Sequence, residues 1–186
     1  MEIVGVPQSQ IGKRVRDEMG NNFIKNYFSK NFGIDCEKIA ENKGQNGNTP
    51  DFLLKKENII FAICEVKNLE LNPNDGTWKV VGNVKEKDYL SISKIISKIK
   101  KAYEQLRSSQ LLKVLVFVDF WSDHITSLDF VLKSDIKRIE GIKNRIDLYI
   151  WIDKGNTRRK DKIYFRYYND NGKRLREKWA GQYFVV

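Results

Sequence analysis

The chain reads as an α/β protein: a mixed β-sheet flanked by helices. Two observations carry that prediction. Residues 89–112 place Ile92, Ile95, Ile96, Ile99, Tyr103 and Leu106 at helical spacing on one face. Around that helix lie short runs rich in β-branched and aromatic residues, 59–66 before it and 113–121 and 146–152 after it. Helix, strands, long helix and more strands is the element order of one α/β domain.

Taken in order, Ile11, Val15 and Met19 recur at four-residue steps, and Phe23, Tyr27 and Phe28 continue the stripe. This predicts a helix over 11–32, weakened at Gly20-Asn21-Asn22 and stopped at Gly33. Residues 36–40 suit a short strand and 41–48 a polar loop. Residues 51–54 and 59–66 read as a hairpin turned at 55–58. After the turn Pro73-Asn74-Asp75-Gly76, residues 78–84 fit either a strand or a loop. A short helix over 134–143, a strand over 162–168, a turn at 169–172 and a last edge strand over 182–186 complete the reading. No internal repeat or long linker divides the chain. Residues 1–186 are therefore one domain, with a core over about 11–121 and basic C-terminal strands over about 146–186.

Hydrophobic residues at 41% and charged residues at 31% are the balance of a folded globular chain and exclude wholesale disorder. The strongest apolar run, 114–118, is too short to span a bilayer. The start Met1-Glu2-Ile3-Val4 lacks the basic and apolar regions of a signal peptide. Cys36 and Cys64 have no metal-site spacing, so a reduced, cytoplasmic protein without a membrane partner is expected. The formal net charge of +10 favours a polyanionic partner, and no strongly basic amphipathic helix favours a lipid surface over nucleic acid.

The chemistry concentrates in two stretches, Thr49-Pro50-Asp51-Phe52-Leu53-Leu54 and Phe61-Ala62-Ile63-Cys64-Glu65-Val66-Lys67. Strand alternation puts Phe61, Ile63, Glu65 and Lys67 on one face, apolar at its start and charged at its end. Pro50 lacks a backbone donor and suits a strand edge, which sets Asp51 at the head of the neighbouring strand. Asp51, Glu65 and the Val66 carbonyl offer three oxygens to a hard cation such as Mg²⁺ or Mn²⁺. Such a cation polarises a phosphate and acidifies water; Lys67 either orients that water or steadies the developing charge. The plain alternative is a surface hairpin with a solvated Glu65–Lys67 pair.

These residues resemble the PD-(D/E)xK nuclease superfamily, whose fold is restriction-endonuclease-like. The resemblance runs from about Ile11 to Trp121 and implies a Mg²⁺- or Mn²⁺-dependent endonuclease, a phosphodiesterase acting most plausibly on DNA. In that family an acid from the first helix often joins the metal site. Glu18 matches, seven residues after Ile11 and three after Val15, with Asp17 behind it. A glutamine often follows the motif, and Gln105 on the long helix is the match. The size suits a Holliday-junction-resolvase-like, restriction-like or toxin nuclease, and a homodimer is plausible by analogy. The competing class is a nucleic-acid-binding module that keeps the fold without the chemistry.

Late in the chain, Arg158, Arg159, Lys160, Arg166, Lys173, Arg174 and Arg176 gather with interleaved aromatics, as a phosphate-tracking surface would. An ordinary solvated hairpin is the alternative. His124, the sole histidine, follows a strand and reads as a bystander. No phosphate-binding loop or dinucleotide fingerprint is present: Gly44-Gln45-Asn46-Gly47 lacks both the lysine and the strand-to-helix context.

Overall fold

The computed structural model describes residues 8–40, 49–69, 80–81, 84–85, 87–119, 131–133, 139–154 and 160–180. The first helix, α1 (Gln8–Phe32), continues through Gly20 rather than breaking there. It stops at Gly33, whose φ of +62° is the left-handed conformation that a side chain disfavours. The Gly33 N–H donates to the Ser29 carbonyl at 3.1 Å, which closes the last turn.

Strand β1 (Asp35–Lys38) follows directly and pairs antiparallel with β2 (Phe52–Lys56). The expected hairpin joins β2 to β3 (Ile59–Leu69) through Glu57 and Asn58, at φ 52° and 63°. Two successive positive φ values match the turn to the right-handed twist of the strands. Past the hairpin, β3 runs parallel to β6 (Leu112–Asp119), and β6 runs parallel to β7 (Leu148–Asp153). Strand β8 (Lys162–Tyr167) closes the far edge antiparallel.

The outcome is an α/β fold on a central six-stranded mixed sheet, ordered β1-β2-β3-β6-β7-β8 and flanked by helices. Parallel neighbours require a crossover, and α2 (Lys87–Leu106) supplies the one between β3 and β6. It ends earlier than its apolar spacing suggested. The Ser109 hydroxyl accepts the Leu111 N–H at 3.1 Å, a local bond that competes with helix. The ambiguous stretch 78–84 holds a small ribbon of β4 (Val80–Val81) and β5 (Val84–Lys85). Helix α3 (Glu140–Lys143) occupies the end of the stretch read as helix from 134, whose residues 134–138 lie outside the described residues.

Two apolar layers enclose the sheet. Ile24 and Phe28 of α1 meet Phe52, Leu54, Ala62, Cys64 and Val66 on one face. Ile95, Ile96, Ile99 and Ala102 of α2 meet Leu69, Leu115, Phe117, Tyr149 and Trp151 on the other. Among the described residues no helix is long and apolar enough to cross a membrane.

The C-terminal region departs from the expected run of strands. Residues 169–172 are not a hairpin turn; they start helix α4 (Asp170–Ala180). The Asn169 side chain accepts the Gly172 N–H at 2.8 Å, so the turn-like Asn-Asp-Asn-Gly is an N-cap. A Cβ on Gly172 would collide with the Asp147 carbonyl and the Tyr167 side chain, which is why glycine stands there. Leu175 and Trp179, four residues apart, then bury against the α1 layer. The Trp179 ring meets Phe28 edge-on at 5.0 Å and Phe61 at 5.8 Å. The edge strand expected over 182–186 lies outside the described residues.

Candidate active site

The site forms where β2 and β3 diverge. Opposite the Leu54–Lys55 step of β2, strand β3 carries an extra residue between Ile60 and Ala62. Such a bulge resets the alternation. It turns Phe61 to the α1 face, onto Trp179, so Phe61 does not share the face of Glu65 as strict alternation implied. Beyond the bulge the alternation holds: Ala62, Cys64 and Val66 face α1. Ile63, Glu65 and Lys67 therefore face α2.

Cross-strand register aligns Phe52 with Cys64 and Leu53 with Ile63, and one further step sets Asp51 opposite Glu65. Two hydrogen bonds fix the Asp51 carboxylate. Oδ2 accepts the Val66 N–H at 2.8 Å and Oδ1 accepts Asn21 Nδ2 at 3.1 Å. The N–H and C=O of one strand residue point to the same neighbour, so the Val66 carbonyl is also turned to the β2 side.

Glu65 is 2% exposed. Its Oε1 takes an ion pair from Lys67 Nζ, while its Oε2 is buried and accepts no hydrogen bond among the described residues. Burial and the neighbouring Asp51 charge push its carboxyl up to about 8, against the opposing pull of Lys67. Lys67 Nζ also donates to Gln105 Oε1 at 2.8 Å, and Gln105 Nε2 donates to the Thr49 carbonyl at 3.2 Å. Gln105 thus ties α2 to both the Glu-x-Lys strand and the segment leading into Asp51. The four residues Asp51, Glu65, Lys67 and Gln105 come together.

Glu18 does not join them. It is exposed on α1, and α1 packs on the sheet face opposite Glu65 and Lys67. The buried stripe of α1 is Gly20, Ile24 and Phe28, not the one through Met19, which is 54% exposed. Glu18 lies about 120° around the helix from Ile24 at 3.6 residues per turn. The helix residue that reaches the carboxylates is Asn21, which sequence reading passed over. Its signal was an uncharged polar residue next to Gly20 and three residues before Ile24, at the edge of the buried stripe. Asp17, exposed, lies one turn before Asn21. Among the described residues no group of three or more His, Cys, Asp or Glu side chains forms a metal cluster, so the carboxylate donors here number two. Thr49, contributing only a backbone carbonyl, had no sequence signal.

The described basic residues do not make one surface beside this corner. Arg158, Arg159 and His124 lie outside the described residues. Lys160 is exposed before β8. On β8, Ile163, Phe165 and Tyr167 face the α1 layer, which turns Arg166 to the α2 face. Lys173 and Arg174 are exposed on α4, on the α1 side, and Arg176 lies 6.0 Å from the Tyr167 ring centre. The sheet separates the two groups.

Among the described residues the arrangement offers two adjacent carboxylates, one with a buried oxygen that accepts no hydrogen bond, and an ammonium held against them. Oxygen donors of this kind suit a hard divalent cation. Compared with protein-family models, curated proteins and solved structures, the chain matches none.

Proposed function

We propose that this protein is a Mg²⁺- or Mn²⁺-dependent nuclease that hydrolyses phosphodiester bonds of DNA. The observation that carries this reading is the convergence of Asp51, Glu65, Lys67 and Gln105 on one corner, with Glu65 Oε2 buried and accepting no hydrogen bond among the described residues. Among the described residues Lys67 is the one cation paired with these two carboxyls, and a divalent cation would add the charge that lets both ionise. The donor set fits: Asp51 and Glu65 would hold the ion, with the Val66 carbonyl turned to the same side.

A bound divalent cation supplies Lewis acidity toward the scissile phosphate and toward water. The rest falls to the chain. Asn21 and the Val66 N–H keep both Asp51 oxygens in a fixed orientation, so its carboxylate needs little reorganisation. Lys67 presents an ammonium where negative charge grows on the phosphate or where a water is to be oriented. Gln105 acts through Lys67, holding its Nζ by one amide atom and the Asp51 approach by the other. The net charge of +10 supports a polyanionic substrate.

The test is cleavage of labelled duplex, single-stranded, flap and four-way-junction DNA with Mg²⁺ or Mn²⁺, with and without EDTA, alongside Asp51→Ala and Lys67→Ala. Metal-dependent cutting lost in both variants is expected. Absence of cutting on every DNA and RNA form refutes the enzyme reading; salt-sensitive binding without cutting would then identify a binding module.

A further inference from the structure

At the end away from the carboxylates, the β2–β3 hairpin projects beyond its neighbours. Strand β1 pairs with β2 no further than Lys55, and β6 joins β3 only from Ala62 onward. On this overhang stand Ile59 and Ile60, 68% and 42% exposed, two of the three large apolar side chains left exposed among the described residues. We propose that this tip is a wedge that enters the base stack of a DNA substrate where paired bases part. The wedge takes its substrate from the nuclease reading and rests on it.

Register sets each isoleucine beside a cation. Ile59 is opposite Lys56 and Ile60 opposite Lys55, and cross-strand partners share a face. Lys55 is held by an ion pair with Glu37 of β1, whereas Lys56 is exposed beside Ile59. An apolar side chain next to an ammonium suits an unstacked base next to its phosphate. Glu57 in the turn keeps the tip from being a general phosphate-binding patch, so the apolar pair sets it apart. Two isoleucines offer far less than the roughly 800 Å² per partner of a stable protein interface, which disfavours a second copy of the chain.

The tip is stiff and lies on the side of the site. Glu57 and Asn58, at φ 52° and 63°, close a two-residue turn, and at its base Phe61 meets the Trp179 ring edge-on at 5.8 Å. A rigid projection loses little freedom on insertion. On β2, Phe52 and Leu54 face α1, so Leu53 and Lys55 face the other way, as Glu65 does. Helix α2 packs on β3 and β6, and Leu53 and Lys55 are only half-buried. This open strip runs from Asp51 to Lys55 and Ile60, about 13 Å, or about four stacked bases. Unstacking costs least where bases are already unpaired, so a fork, flap or junction is preferred over an unbroken duplex.

The test is titration of the full chain, in EDTA, into a forked and an unbroken duplex that carry 2-aminopurine at the same position, the fork point. A rise in 2-aminopurine fluorescence and roughly fivefold tighter binding of the fork are expected. The double variant Ile59→Ser, Ile60→Ser should lose both and keep salt-sensitive binding. Met19→Ser, at the other exposed apolar side chain, should keep both. Melting curves confirm that each variant is folded. An unchanged rise and preference in the folded double variant overturns the proposal, and so does wild-type binding that shows neither. Cleavage with Mg²⁺ or Mn²⁺ in that second case leaves the nuclease reading standing, whereas no binding to any DNA overturns both. Anionic-vesicle binding lost in the double variant, with its DNA response intact, also overturns the wedge and assigns the tip to a lipid surface.

Discussion

On β3, the residues facing α1 stay apolar from Ala62 through Cys64 to Val66, while those facing α2 change from Ile63 to Glu65 and Lys67. The same strand thus serves two layers with different tasks. Toward α1 it meets Ile24 and Phe28, backed by the Phe28–Trp179 edge contact. Toward α2 it carries an ion pair whose glutamate has an altered proton affinity. Asp119 and Asp153, buried at the ends of β6 and β7, follow Phe117 and Trp151 on that second face. Period-two alternation is what allows an apolar packing face and a charged face to sit one residue apart on β3.

Four experiments put pressure on that division. On the proposed chemistry, Asp51→Asn keeps size and loses charge, and should lower the metal-dependent cleavage rate by about 10³-fold, in line with losing one preorganised electrostatic group. Its urea midpoint should change far less. Phe28→Ala inverts the pattern. It should cost about 3–5 kcal/mol in urea unfolding, yet leave cleavage per folded molecule near wild type. An equal loss of activity per folded molecule would mean that the two faces are not separable.

Glu65 gives the third experiment. Its folded value of about 8 lies above the ordinary glutamate value of 4.5, so between these values the folded state holds a proton that the unfolded chain releases. In chelator, stability should be highest below the lower value and fall as pH rises toward 8, at up to about 1.4 kcal/mol per unit. Denaturation of Glu65→Gln over the same range should be flatter, and a slope of unchanged size would remove Glu65 as its source.

The smallest effect expected is that of Asn21→Ala. One hydrogen bond to Asp51 is worth about 1 kcal/mol, so Mn²⁺ affinity by calorimetry should weaken by roughly fivefold to tenfold. This contact is how the α1 side reaches the carboxylates. Unchanged affinity would show that the two faces are still more independent than the geometry implies.

What residue order decided about this protein is what depends on near neighbours along the chain. Strand alternation after the bulge, the Pro50-Asp51 strand edge, the Gly33 stop and the apolar face of α2 all follow from backbone periods and φ preferences that a few residues set. That local information was enough to set Asp51 opposite Glu65 with Lys67 on the same face, while Gln105, named by resemblance, joins them through contacts with the distant Lys67 and Thr49. Contacts between residues distant in sequence decided the remainder. Gly20 lies so close to β3 that a Cβ there would strike the Asn68 side chain, and Ile24 and Phe28 on the same stripe pack into the sheet's apolar layer. This packing sends Asn21 to Asp51 and leaves Glu18 exposed. Likewise the packing of Gly172 on Asp147 and of Trp179 on Phe28 turns a turn-like segment into α4 and places its cations across the sheet from Arg166. A helix period specifies a stripe but not its partner, because the partner is fixed only by the shape of surfaces assembled from the whole chain.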